Sequence, residues 1–473
     1  MSPIEDAPAC LKLDKIDITY FRCFESLSVP LQADVNVIVG VNGAGKTAIL
    51  DAIAIALWHL VAANGGGGPR QRTVQGVSLR PSDLHIRPDA PDAISGRSDH
   101  VLIKAVAKDF YGVTGYPART ESGGPRDLEW EEDILFRLPN DFAYGTKQSI
   151  GLADVYGYVK ALWQEIRISD PKALIPLPVV AYYRANRRLS EMPNLGDIFS
   201  VSLERDRAFL GALNAGVDYQ AMCQWFYRRE NHELREKLQV RNDRDYQFPD
   251  LKAVRAAVAT TLEDVERVFF DDTTLKVSFR NPKGTPKDLE LAQLSDGYRN
   301  LLALVLDFAR RLAQAHPHWE KPLDAPGILL IDEIELHLHP QWQQQVITNL
   351  RKAFPNTQII VTTHSPQVLT TVHRRNIKVL RDGRLFQAPA DPYGAESKRA
   401  LEDVLHTDSR PPERDNENVR QLGELFRLIN ANDLGKANQV FQALAQAMGT
   451  DEPALIEAET IIRNREWEKE LGL

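Results

Sequence analysis

Cysteine is scarce in this chain. Three residues in 473, at positions 10, 23 and 223, are too few and too scattered for a disulfide framework or a thiolate metal cage, so a reducing, cytoplasmic setting is expected. A leader is also missing: Met1 to Leu11 has no basic flank running into an apolar core, and no stretch reads as the roughly 18 apolar residues of a membrane span. Neither secretion nor a membrane partner is expected. There is no internal repeat and no sustained heptad pattern, which excludes a solenoid and a long coiled coil. Positive charge is not in excess either, since 57 Lys and Arg face 65 Asp and Glu for a net charge of −8. That balance excludes a uniformly basic coat and leaves a local groove, and with it DNA as a partner, open.

The chain has ample length for a large core, with room for two to four lobes at roughly 100 to 200 residues each. Alternating and apolar runs at Leu11 to Ile18 and Val35 to Val39 read as strands, followed by a helix from Thr47 to Leu60. Loops are expected at Asn64 to Pro69, with its four glycines, and at Gly112 to Pro125. Short runs between Val101 and Arg137 suggest antiparallel strands. Residues 146–265 read as a mostly helical insertion, with helical pattern at Ala208 to Leu213 and Met222 to Leu238 and an extended run at Pro178 to Tyr183. A second alternation follows: strand Leu275 to Phe279, helix Asp296 to Leu312, strand Ile328 to Ile331, helix Gln341 to Phe354 and strand Gln358 to Thr363. Short strands close it near Ile377 to Leu380 and Arg384 to Phe386. The order predicts an α/β fold, a mixed sheet with flanking helices and an antiparallel sub-sheet. The expected division is an N-terminal lobe, 1–145; the helical insertion, 146–265; a C-terminal lobe, 266–390; and a helical tail, 391–473.

Gly40-Val-Asn42-Gly43-Ala44-Gly45-Lys46-Thr47, continuing to Ala48, fits the phosphate-loop pattern and lies between an apolar strand and a helix. Its glycines let backbone N–H groups surround phosphate oxygens at a helix N-terminus. Lys46 is placed to reach the β and γ phosphates of ATP, and Thr47 to hold Mg²⁺. Downstream, Ile328-Leu-Leu-Ile331-Asp332-Glu333 ends an apolar strand in two carboxylates. Asp332 suits the Mg²⁺ shell, and Glu333 suits the carboxylate that orients and deprotonates the attacking water. Leu294-Ser295-Asp296-Gly297-Tyr298-Arg299 precedes a helix that Ser295 can cap. His364, in Val361-Thr-Thr-His-Ser-Pro366, follows a strand where it can face a γ-phosphate. His337 and His339 offer too few ligands for a metal site of their own.

Taken in order, the phosphate loop, LSDGYR, ILLIDE and VTTHS resemble the ABC-class ATPase head of chromosome-organising, DNA-repair and bacterial defence proteins. The resemblance implies a dimer with ATP sandwiched between copies, in which Ser295 and Gly297 of one chain cap the γ-phosphate held by another. Glu335 to Pro340 stands in the place of the D-loop. The opening Ile18-Thr-Tyr-Phe-Arg22-Cys-Phe24, DEIELHLHPQWQ and THSPQVL are similar to the overcoming-lysogenization-defect-like branch, and Arg22 joins the expected nucleotide-binding set. Tyr393-Gly394 and Leu401 to Leu405 are similar to ATPases of Septu-type and retron-associated antiphage systems. That resemblance implies a switch or sensor subunit acting with a separately encoded HNH nuclease or other effector, with no nuclease site in this chain. The signature departs from the transporter form at Asp296 and Tyr298, and no decisive glutamine loop is visible near Gln75, Arg80 and Asp83. Two alternatives stay open: a DNA-repair ATPase of the recombination-mediator type, with Arg184, Arg187 and Arg188 beside Tyr182 and Tyr183 as phosphate contacts, and a slow-turnover scaffold that sequesters a toxic partner.

Overall fold

The computed structural model describes residues 11–64, 83–85, 100–110, 126–136, 144–170, 174–185, 202–214, 218–281, 284–405, 407–408 and 410–471. The expected loops at 65–69 and 112–125, and Gln75, Arg80, Arg187 and Arg188, lie outside these residues.

Apart from the largely exposed outer strand Arg384–Gln387, strands made mostly of buried apolar residues build the central sheet. It has six strands in the order Arg384–Gln387, Ile377–Arg381, Val35–Val39, Thr357–Thr363, Gly327–Ile331 and Val179–Tyr183. The middle strands pair in parallel, with Val39 level with Thr363 and Ile331 level with Val361, so their carboxyl ends form one rim. Continuous apolar runs are what a sheet covered on both faces requires. Gly327 permits this closeness, because a Cβ there would lie 3.0 Å from Phe308 and from the Thr357 hydroxyl.

A second sheet is antiparallel, in the order Phe24–Pro30, Leu13–Phe21, His100–Phe110, Arg126–Phe136 and Tyr144–Ile150. A third, of three strands, runs Lys287–Glu290, Thr274–Phe279 and Val265–Asp271. Between the first two sheets lies the helix Lys46–Asn64, buried on nearly every side. No membrane-length run was expected, yet this helix is long and apolar enough to cross a bilayer by composition alone; 83% of its most apolar window is buried inside the protein. Its apolarity is that of a helix packed between sheets, where no polar face is needed.

Residues 146–265 supply the helices Leu152–Ile168, Tyr219–Arg235 and Pro249–Thr261, but the run expected inside a helical insertion, Val179–Tyr183, is an edge strand of the central sheet. This stretch is therefore partly core. The helical pattern at 208–213 becomes a 3-10 turn, Arg205–Phe209, and the helix expected over 341–354 divides into Pro340–Gln343 and Val346–Ala353. The chain forms two compact units, 1–405 and 406–473, so the first unit reaches beyond residue 390 through the helix Ser397–Asp403. The second unit packs Glu417–Asn430, Leu434–Met448 and Pro453–Leu471 about Leu425, Ile429, Leu444 and Leu455.

Candidate functional site

The phosphate loop turns between the end of Val35–Val39 and the first turn of Lys46–Asn64. Two of its glycines are demanded by space. A Cβ on Gly40 would lie 2.5 Å from the Leu380 carbonyl oxygen, and Gly45, at φ +105°, would meet Cys23 Sγ at 2.5 Å and the Phe24 ring at 2.7 Å. Gly43, at φ +80°, has nothing within 4 Å of its Cβ position, so only its backbone conformation requires glycine. The Lys46 ammonium folds back on its own loop, donating to the Gly40 and Val41 carbonyls at 3.1 Å each. Burial lowers its pKa, while Glu333, Asp332 and Glu335 pull the other way.

Thr47 Oγ1 donates to Asp332 Oδ2 at 2.8 Å. The other oxygen of Asp332 accepts the Thr362 hydroxyl at 2.6 Å, and that hydroxyl oxygen accepts the Glu333 backbone N–H at 2.8 Å. Asp332 is 3% exposed. Its own N–H reaches the Tyr183 carbonyl at 2.8 Å, fastening the acidic rim to the edge strand. Glu333 sits at φ +47°, in the left-handed region that a bulky residue seldom enters, and His337 at +63° marks the end of the same turn.

His364 lies at the end of the neighbouring strand, and its backbone N–H donates to Glu335 Oε1 at 2.5 Å. Burial and the nearby Lys46 charge lower its pKa against the pull of Glu335, Glu333 and Asp332, which favours the neutral imidazole at pH 7. Ser295 and Gly297 open the helix Asp296–Ala315. Ser295 takes the N-cap conformation without making a side-chain cap, so its hydroxyl is not spent there, and it is exposed. Gly297 serves an in-chain contact that the sequence did not suggest: a Cβ would lie 2.0 Å from the His337 carbonyl oxygen. The signature segment is thereby seated on the turn that follows the acidic strand. Tyr298 fills the same junction, edge-on to Phe279 and Trp342.

Arg22 is committed to carboxylates. It donates to Asp51 at 2.6 Å and to Asp83 at 2.8 Å. Asp51, one turn beyond Thr47 on the phosphate-loop helix, also accepts from Arg184 at 2.5 Å and from the Tyr182 hydroxyl at 2.7 Å. Asp51, Thr362 and the specific anchor at Glu335 were missed in the sequence. A lone acid inside a helix and a threonine inside an apolar strand carry no spacing signal. Asn42, Ala44 and Ala48 lie in or directly after the phosphate loop, as their positions dictate. Among the described residues no group of three or more His, Cys, Asp or Glu side chains gathers as a metal cage.

These parts fit ATP with Mg²⁺. The crowded glycine loop admits backbone but no Cβ at Gly40 or Gly45, the ammonium rests on carbonyls it can leave, and the paired Thr47 hydroxyl and Asp332 carboxylate are hard oxygen donors. With strand ends, loop and acidic pair arranged in this way, the protein is an ATPase with an ABC-type head. It belongs to the family of retron ATPases. It is 34% identical to "Retron Vc95 probable ATPase" of Vibrio cholerae serotype O1 biovar El Tor over 435 residues, which cover 85% of this chain and 80% of that one. It is 28% identical to "Retron Ec83 probable ATPase" of Escherichia coli, over 97% of this chain and 88% of that one. Septu protein PtuA of Bacillus mycoides (strain KBAB4) is 41% identical over 99 residues, 21% of this chain and 13% of that one. Residues 197–370 match the family described as "AAA domain, putative AbiEii toxin, Type IV TA system", and residues 15–83 match one described as "AAA domain".

Proposed function

We propose that this chain is the ATP-driven switch subunit of a bacterial antiphage defence system, cytoplasmic, and controlling a separately encoded effector such as an HNH nuclease. Bound Mg²⁺ would be held by Thr47 and Asp332 and would neutralise charge developing on the phosphates. Lys46 leaves its loop carbonyls for the β and γ phosphates, and the loop N–H groups from Gly43 to Ala48 hold the oxygens. Glu333 orients the attacking water and takes its proton, and neutral His364 donates to the γ-phosphate. Arg22 supports the nucleotide through Asp51, on the helix that carries Thr47. Ser295 and Gly297 of a second copy complete the site, so ATP binds the closed dimer more tightly than the open one and hydrolysis releases it.

The observation that carries this reading is the Thr47 to Asp332 bond beside Glu333, which joins the two halves of a hydrolytic site. The defence context rests on the named retron and Septu relatives. Its test is Glu333→Gln in cells carrying the whole locus, with the wild-type and variant chains purified alongside. The variant should hold ATP, remain dimeric with ATP and Mg²⁺, release phosphate at least tenfold more slowly and change phage protection. Unchanged phosphate release together with unchanged protection would sink the switch. Pulldown of the tagged chain with ATP and Mg²⁺ should bring down a stoichiometric nuclease; a lone dimer retaining DNA would favour the repair reading instead.

A further inference from the structure

Glu335 has one carboxylate oxygen committed and one without a partner. Oε1 accepts the His364 backbone N–H at 2.5 Å, across 29 positions of sequence, whereas Oε2 is buried with no hydrogen-bond partner among the described residues. An acid in a surface turn is ordinarily solvated on both oxygens. Here the side chain turns inward and ties the turn after the acidic strand to the end of the adjacent strand. A buried acceptor left unmade is destabilising, the more so when the group is charged, so an unpaired oxygen of this kind points to a partner supplied by another state of the protein.

Among the described residues, the surroundings narrow that partner by elimination. Asp332 is held by Thr47 and Thr362, and the Glu333 backbone by Thr362. Lys46, the nearby cation, rests on Gly40 and Val41 carbonyls and is required at the phosphates when ATP binds. Glu335 nevertheless lies in the field of the same site, since it acts on both Lys46 and His364 together with Asp332 and Glu333. What a nucleotide and Mg²⁺ bring there, besides phosphate oxygens that would repel a carboxylate, is ordered water with hydrogens to donate.

We infer that Glu335 is a positioning residue for hydrolysis: Oε1 holds the His364 backbone in place, and Oε2 accepts a hydrogen bond from a water of the phosphate site once Mg²⁺ and ATP are bound. This rests on the ATPase chemistry and is independent of the dimer and the effector.

Glu335→Gln separates the two roles, because its amide oxygen still accepts the His364 N–H while its NH₂ donates where Oε2 would accept. Glu335→Ala removes both. Selective nitrogen-15 labelling of the 11 histidines, with His364 assigned from the spectrum of His364→Asn, reads the tether directly. Glu335→Gln should bind Mg²⁺–ATPγS within about twofold of wild type and keep its KM, with kcat down at least tenfold. Its His364 amide proton should stay downfield, and that of Glu335→Ala should move upfield. Wild-type kcat in Glu335→Gln would overturn the water acceptor, and an unmoved His364 amide in Glu335→Ala would overturn the tether. Should Glu335→Ala fail to fold, Glu335→Asp, one methylene too short to span, reads the tether in the same way. A wild-type chain without turnover would count against the ATPase reading, and the amide measurement would still decide the tether.

Discussion

Thr47 Oγ1 donates to Asp332 Oδ2 across 2.8 Å, although 285 positions separate them in the chain. One residue opens the phosphate-loop helix and the other ends a parallel strand, and the shared rim of the sheet is what lets them meet. Thr47→Val keeps the shape and removes the hydroxyl. Steady-state assays should show Mg²⁺-dependent ATP turnover down at least a hundredfold, with Mg²⁺-free nucleotide binding within a few-fold of wild type. Retained turnover would remove Thr47 from the metal shell.

Gly297 and Ser295 are neighbours with opposite sensitivities. Gly297→Ala forces a methyl to 2.0 Å from the His337 carbonyl oxygen, so urea unfolding should show a loss of about 1 to 3 kcal/mol. Ser295 is exposed and makes no side-chain cap, so Ser295→Arg should leave unfolding within about 0.5 kcal/mol and abolish ATP-dependent dimerisation in light scattering. A Ser295→Arg chain that dimerises normally would exclude the capping role across the dimer.

Asp51→Asn leaves Arg22 and Arg184 without their shared carboxylate. Both arginine side chains keep about a third of their surface in water, which limits the penalty. A loss of about 2 kcal/mol in chemical denaturation is expected, less than for a fully buried pair. Asp51→Ala should cost more, because the Tyr182 hydroxyl then loses its acceptor as well.

His316 supplies a pH dependence. It is wholly buried, with Nδ1–H donating to the Leu312 carbonyl and Nε2 accepting the Leu177 N–H, an arrangement only the neutral ring can make. Burial lowers its pKa from 6.5 to about 3. A depressed histidine is protonated first in the unfolded chain, so its contribution is intact above pH 6.5 and declines as pH falls from 6.5 toward 3. From pH 7 to pH 5 this amounts to about 2 kcal/mol at ~1.4 kcal/mol per unit. Urea midpoints of wild type and His316→Gln at the two pH values should differ by that increment; parallel slopes would show that His316 is not the group.

Most of the candidate site could be proposed from sequence because its residues are contiguous. Gly40 to Thr47 needs several glycines, a lysine and a hydroxyl in one turn, and Ile328 to Glu333 needs an apolar strand ending in acids. Each carries its own context. Val179–Tyr183 was less readable, since five buried residues between helical stretches have no period that says which sheet they join. The core helix Lys46–Asn64 hides its setting for a related reason: apolar on every side, it reads as buried without saying in what.

By itself the sequence determined the parts: the phosphate loop, the acidic strand end, the helix that follows Ser295 and their order along an α/β chain, all set by local backbone requirements and short-range spacing. Only the tertiary structure decided what those parts hold. It gave Asp51 to Arg22, Arg184 and Tyr182, the Gly297 backbone to the His337 carbonyl, and Glu335 to the His364 amide. Such contacts join strands and turns far apart in the chain, and hydrogen-bond and packing distances exist only once the sheet has brought its strand ends to one rim.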